Sequence, residues 1–219
     1  MAVSALPAVL LTGFEPFGGD DRNPSQAVVR ALDGQTLAGH RIVGCELPVE
    51  FGESLHVLRR ALRRTRPTLV VCLGQAGGRD SISLERIAIN VDDARIPDNG
   101  GAQPVDVPVV AHGPAAYFST LPIKAMSLAL AEAGIPAAVS QTAGTFVCNH
   151  VFYGLMHALR RRQDVRGGFI HVPWSDEQAA ERPGQPGLPL ATMVEGIRIA
   201  LEAALAHARD IAIPGGAEH

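Results

Sequence analysis

The sequence predicts an α/β fold: a three-layer sandwich in which a mainly parallel, twisted sheet carries helices on both faces. Three observations lead there. Short apolar runs at residues 8–14, 68–73, 137–140 and 168–172 have the length of buried strands. Helical stretches alternate with them along the chain, and that alternation is the pattern of a parallel sheet wrapped by crossover helices. The composition is 47% hydrophobic but only 5% aromatic, which suits an aliphatic core. A chain of 219 residues is read as one domain, 1–219, able to bury about 70% of its unfolded surface.

Residues 8–14 read as the first strand. The following GFEPFGGDDRNPS is dense in turn formers, and Asn23 then caps a helix with Pro24 at its first position, running to about Leu32. Residues 41–49 read as a strand. Residues 52–64 read as a helix with Leu55, Leu58 and Leu62 on one face, ended before Pro67. Strand 68–73 leads into Gly74-Gln75-Ala76-Gly77-Gly78-Arg79. Residues 81–91 alternate as one strand, with Ile82, Leu84, Arg86 and Ala88 on one face and Ser83, Glu85 and Ile87 on the other. Residues 92–113 are long for a plain connection and read as a functional loop or small hairpin excursion. A helix follows at 122–133, stopped by Gly134. Strand 137–140, helix 145–162 and strand 168–172 come next, then a polar surface loop at 174–187 and an amphipathic helix at 190–208.

Several classes of function are disfavoured by composition. The formal net charge of −3 offers no footprint for nucleic acid or an anionic membrane. No run approaches the ~18 apolar residues of a membrane span. The apolar N-terminus lacks the basic region of a signal peptide, and a cytoplasmic location is expected. Three cysteines, Cys45, Cys72 and Cys148, are too few for a disulfide framework and have no zinc-type spacing. Cys45 and Cys72 sit in apolar runs as packing thiols. No metal or cofactor is expected. The basic runs around Arg59–Arg66 and Arg160–Arg162 read as solvated helix ends.

Cys148 is different. It lies in or near the first turn of a helix that follows Ala143-Gly144-Thr145. The helix dipole there favours thiolate, and unpaired N–H groups could hold an oxyanion. A nucleophile and an anion site together suggest acyl transfer. Of eight histidines, His150 is close in sequence but diverges from Cys148 on the helix. His112 sits in a loop and stays open. His171, at the end of the next strand, returns to the sheet edge where the helix begins if the two strands form a βαβ unit; a base and a core histidine are equally good readings of it. For the orienting carboxylate, Glu85, Asp92, Asp93 and Glu15 are all placed at strand ends or loops. Glu85, mid-strand, would need a cationic partner: an imidazolium suits, and a plain salt bridge to Arg79 or Arg95 is the alternative.

Taken together, GFEPFGGDDRNPS, GQAGGR with SLERIAIN and VDDARIPDN, GPAAYFSTLP, and SQTAGTFVCNHVFYGLMH with GFIHVPW resemble the pyroglutamyl peptidase I family of cysteine peptidases, in order, from about Val9 to Ala206. The resemblance implies a catalytic triad of Glu85, Cys148 and His171. It implies hydrolysis, through a thioester, of the bond after an N-terminal 5-oxoproline. It implies a pocket in which Phe14 and Phe17 sandwich the lactam ring, with Gln75 and Asn23 nearby and Arg95 assisting. It also implies a homo-oligomer, as a tetramer; apolar surface near Tyr117-Phe118 is a candidate for contact or for core. Gln141, Phe146 and Trp174 depart from the family's usual residues at the pocket rim. The alternatives are a non-enzymatic binder of pyroglutamate-like molecules, or a redox sensor built on Cys148.

Overall fold

The computed structural model describes residues 6–216, so the readings at residues 1–5 and at His219 lie outside the described residues. Strand β1 (Ala8–Phe14) is followed by α1 (Pro24–Leu32), the two-residue β2 (Thr36–Leu37) and β3 (His40–Leu47). Asn23 caps α1 as expected, its side chain accepting from Ser25 N–H at 3.0 Å. Helix α2 (Glu53–Thr65) and strand β4 (Leu69–Gln75) come next.

The stretch 81–91 is not one strand. It breaks into β5 (Ile82–Glu85) and β6 (Ile87–Ile89), and β6 leaves the main sheet to pair antiparallel with β7 (Ala116–Phe118). The physical reason is Arg86. Continued alternation would put its guanidinium on the apolar face of Ile82 and Leu84; instead it reaches Gly215 O at 2.5 Å. Residues 92–113 form the small excursion expected, closed by a bridge between Asp92 and Val107. Then come α3 (Ile123–Glu132), β8 (Ala137–Ser140), α4 (Val147–Leu159), β9 (Arg166–Val172), α5 (Asp176–Ala180) and α6 (Leu190–Ala206). Helix α5 corrects the reading of 174–187 as a loop: Ser175 and Gln178 make a reciprocal capping box, and Gln178 is buried.

The main sheet has the order β2-β3-β1-β4-β9-β5-β8. Strands β3, β1, β4 and β9 are mutually parallel, whereas β5 runs antiparallel to β9 and parallel to β8. Thus β8 and β9 oppose one another in direction. The βαβ unit expected around Cys148 does not exist; residues 141–146 carry the chain from β8 to the start of α4.

Alternation along the central strands builds two cores. Val9, Leu11, Leu69, Val71, Leu73, Ile82, Leu84, Ile170 and Val172 pack with α1, α3 and α6. Leu10, Phe14, Val70, Cys72 and Phe169 pack with α2 and α4. Each fully buried aliphatic side chain contributes about 2 kcal/mol, before the entropy of ordering it. The two-residue period also places Gly74, Glu85 and His171 on the α4 side. Among the described residues, no helix is long and apolar enough to cross a membrane.

Candidate active site

Helix α4 begins where the sheet offers space. Phe146 is its N-cap in an extended conformation with no side-chain cap, and Gly144 turns the chain ahead of it at φ 78°. The first main-chain bond back into this turn comes from His150 N–H to Phe146 O at 3.1 Å. The Cys148 N–H, two residues earlier, therefore has no intrahelical partner and is free for an anionic oxygen.

The Cys148 sulfur lies over β4. A Cβ at Gly74 would stand 2.8 Å from Sγ, so only glycine lets the sulfur come down onto the strand. Across the β4–β9 ladder, Gly74 is the partner of His171. The sulfur thus lies over the strand beside the one that carries the imidazole, on one face of the sheet. His171 Nδ1 lies 2.8 Å from Glu85 Oε1, and both side chains are buried. The same oxygen accepts from Arg79 Nη1 at 2.7 Å, while Arg79 Nη2 donates to Thr142 O at 3.1 Å. The two candidate partners of Glu85, imidazole and arginine, are both present. Arg95 is exposed and is not among the residues lining the cleft described below.

Burial would raise the Glu85 carboxyl, but the His171 hydrogen bond and charge, with Arg79 adding, hold it below the usual carboxylate range. Glu85 is therefore an acceptor, and the proton of the shared bond sits on His171 Nδ1. Burial pushes His171 below the ordinary imidazole value, against the pull of Glu85. Burial and the Glu85 charge push the Cys148 thiol up to about 12, with Arg79 opposing. Burial and the Glu85 charge thus work against the thiolate that the helix terminus favours. Cys72 is fully buried and also pushed to about 12, as a packing thiol should be; Cys45 is half-buried.

Of the other candidate acids and histidines, Glu15, Asp92, His150 and His157 are bonded elsewhere, and Asp93 is exposed. Glu15 Oε1 accepts from Val49 N–H at 3.1 Å and Asn99 Nδ2 at 2.8 Å. Asp92 Oδ2 lies 2.8 Å from His150 Nδ1, and Gly52 N–H donates to His150 Nε2 at 3.0 Å. His157 Nδ1 is 2.8 Å from the Tyr117 hydroxyl, and His112 is exposed.

Beside the sulfur is a narrow cleft lined by Phe14, Phe17, Asn23, Val49, Gln75, Phe146, Val147 and Cys148. The expected pocket residues Phe14, Phe17, Asn23 and Gln75 therefore do meet at Cys148. Asn23 also holds Glu15 O and Ser25, so capping accounts for much of its bonding. Val49 and Val147 were not singled out, and neither carries a polar or motif signal that could have found it. Phe146, noted only as a rim departure, forms one wall. Its ring meets Phe17 at 6.2 Å and, edge-on, Phe51 at 5.4 Å.

This geometry has close counterparts. The family model described as pyroglutamyl peptidase matches residues 7–207. A pyrrolidone-carboxylate peptidase of Klebsiella pneumoniae is 58% identical over 98% of this chain and 100% of its own length. One from Bacillus cereus is 52% identical over 98% and 100%. The crystal structure of pyroglutamyl peptidase I from Bacillus amyloliquefaciens superposes with a TM-score of 0.93 at 47% identity, covering 96% of this chain and 100% of that one. Pyrrolidone carboxyl peptidase from Thermococcus litoralis gives 0.92 at 36% identity, covering 95% and 100%. The chain belongs to the pyroglutamyl peptidase family of cysteine peptidases.

Proposed function

We propose that the protein hydrolyses the bond after an N-terminal pyroglutamyl residue of peptides, with Cys148, His171 and Glu85 as its catalytic residues. One observation carries the assignment of roles: His171 is anchored to Glu85 through Nδ1 while its strand neighbour, Gly74, makes room for the Cys148 sulfur. Cys148 sulfur attacks the pyroglutamyl carbonyl carbon as its proton passes to His171 Nε2. Glu85 holds the imidazolium that forms, and the Cys148 N–H receives the developing oxyanion. The imidazolium then protonates the leaving amine as the C–N bond breaks. Water, losing its proton to His171, cleaves the thioester and frees pyroglutamate. No step is assigned to Arg95, given its exposure.

The lactam is neutral, flat and largely apolar, with one N–H and one C=O. Phe14, Phe17 and Phe146 supply apolar walls, and Gln75 is the polar partner of the lactam. A site built to bond the lactam oxygen rejects proline, which lacks it, because a buried polar group would be left unpaired. Release of dye from a pyroglutamyl chromogenic amide, abolished by thiol alkylation, is expected; no turnover by folded, reduced protein would overturn the reading. Lactam binding without turnover would favour the alternative of a non-enzymatic binder. A homo-oligomer in the cytoplasm is inferred as well. Free cysteines suit the compartment, and Phe118, 67% exposed, suits a contact between copies.

A further inference from the structure

We propose that Gln178, on α5, is a positioning residue that fixes the polarity of the lactam pocket by orienting the Gln75 amide. The inference rests on the reading of Gln75 as the lactam's polar partner.

The chain of bonds begins at a group whose polarity cannot change. Ser175 N–H is a donor, and it donates to Gln178 Oε1 at 3.1 Å. Gln178 Nε2 must then be the end that faces the other way, where it meets only acceptors: Asp20 Oδ2 at 3.2 Å, Arg22 O at 3.2 Å and Gln75 Oε1 at 3.1 Å. A carboxylate and a carbonyl among them would repel an oxygen in that place, so the orientation of Gln178 is fixed from both ends. Gln178 is 2% exposed, so water does not compete for these bonds.

The consequence passes to Gln75. Its Oε1 is claimed by Gln178, so its Nε2, which has no hydrogen-bond partner among the described residues, is the end left for the cleft it lines. The pocket therefore presents a donor, which pairs with the lactam C=O. Reversed, the same glutamine would present an acceptor to that oxygen and repel it. Recognition of the one atom that separates pyroglutamate from proline is thus set by a residue that does not line the pocket. The arrangement is braced further out: Arg182 pairs with Asp20 and lies 4.8 Å over the Trp174 ring, which itself packs on Gly77.

The experiment is a double-mutant cycle on pyroglutamyl amide hydrolysis, using Gln75→Ala, Gln178→Met and the double variant, with thermal stability measured in parallel. Gln178→Met should raise KM about tenfold, the scale of a misaligned polar partner, with kcat changed little. In the Gln75→Ala background it should have no further effect. Gln178→Glu keeps the acceptor that caps α5 but turns the group facing Gln75 into an acceptor; it should cost at least as much, and again nothing once Gln75 is gone. That variant carries the test if Gln178→Met loosens α5. Equal losses with and without Gln75, or wild-type KM in both Gln178 variants while Gln75→Ala is impaired, would overturn the role of Gln178. Wild-type KM in Gln75→Ala would overturn the reading of Gln75 itself, and the inference with it.

Discussion

Two histidine–carboxylate pairs lie buried on the α4 side of this sheet, and they are nearly identical as pairs. His171 Nδ1 meets Glu85 at 2.8 Å, and His150 Nδ1 meets Asp92 at 2.8 Å. Glu85 and Asp92 each keep one oxygen without a hydrogen-bond partner among the described residues. The difference lies at the second nitrogen. The Gly52 N–H donates to His150 Nε2, which consumes that lone pair and fixes a neutral ring. His171 Nε2 has no partner among the described residues, and its neighbouring strand position is the glycine over which the Cys148 sulfur sits. A buried imidazole with a carboxylate behind it is therefore not in itself a catalytic unit. Whether its second nitrogen is already bonded separates a pair locked into the structure from one whose lone pair is open.

The comparison is broken most severely at Cys148 and His171. Cys148→Ala should lower kcat/KM for a pyroglutamyl amide by about 10⁴-fold or more, and His171→Ala by a similar factor, without additivity. Steady-state rates of the single and double variants check this. The carboxylates come next. Glu85→Gln should cost ~10³–10⁴-fold through loss of ring orientation and charge, whereas Asp92→Asn should stay within about tenfold of wild type. Similar losses in both would erase the distinction.

His150→Ala should act on stability instead. It strands the Gly52 N–H and an acid in the interior, a loss of about 3 kcal/mol by denaturant unfolding, with residual activity that tracks the folded fraction. The pH dependence sharpens the comparison further. Burial holds His171 below the ordinary imidazole value of about 6.5, so kcat/KM should fall only on the acid side of that value. Cys148, pushed to about 12, gives no inflection near neutrality. The linkage has the same sign: the unfolded chain binds a proton at His171 more readily, so its contribution to stability is complete above about pH 6.5 and is lost as pH falls through the folded value. The smallest effect belongs to Arg79→Ala. Arg79 opposes protonation of His171, so its removal should move the acid limb to higher pH, costing roughly 3- to 10-fold near pH 6 and little at pH 8.

The two pairs also show what the sequence made legible. Hydrophobic runs and caps located most helices and strands because period and capping chemistry are local. Strand order is not local. A βαβ unit would bring His171 to Cys148, and the antiparallel β5–β9 pairing rules that unit out; His171 lies near the sulfur because α4 starts above the C-terminal end of β4, the strand beside β9. Position alone left four carboxylates open, and only the family's motifs pointed to Glu85, since the Asp92–His150 bond joins an irregular segment to a helix 58 residues away. Desolvation of the thiol was equally hidden, because it depends on what packs around Sγ. Gln178 had a usable signal: Ser175 three residues before a glutamine is a capping box, passed over because the surrounding Pro and Gly suggested a loop.

The most direct test of the central claim is to acid-quench the enzyme during turnover of a pyroglutamyl amide, digest it, and locate the acyl group by mass spectrometry. The expected result is a pyroglutamyl thioester on the peptide carrying Cys148, absent from the His171→Ala variant and undiminished by Asp92→Asn once folded protein is matched. Turnover with no acyl group on Cys148, or undiminished turnover by Cys148→Ala, would contradict it.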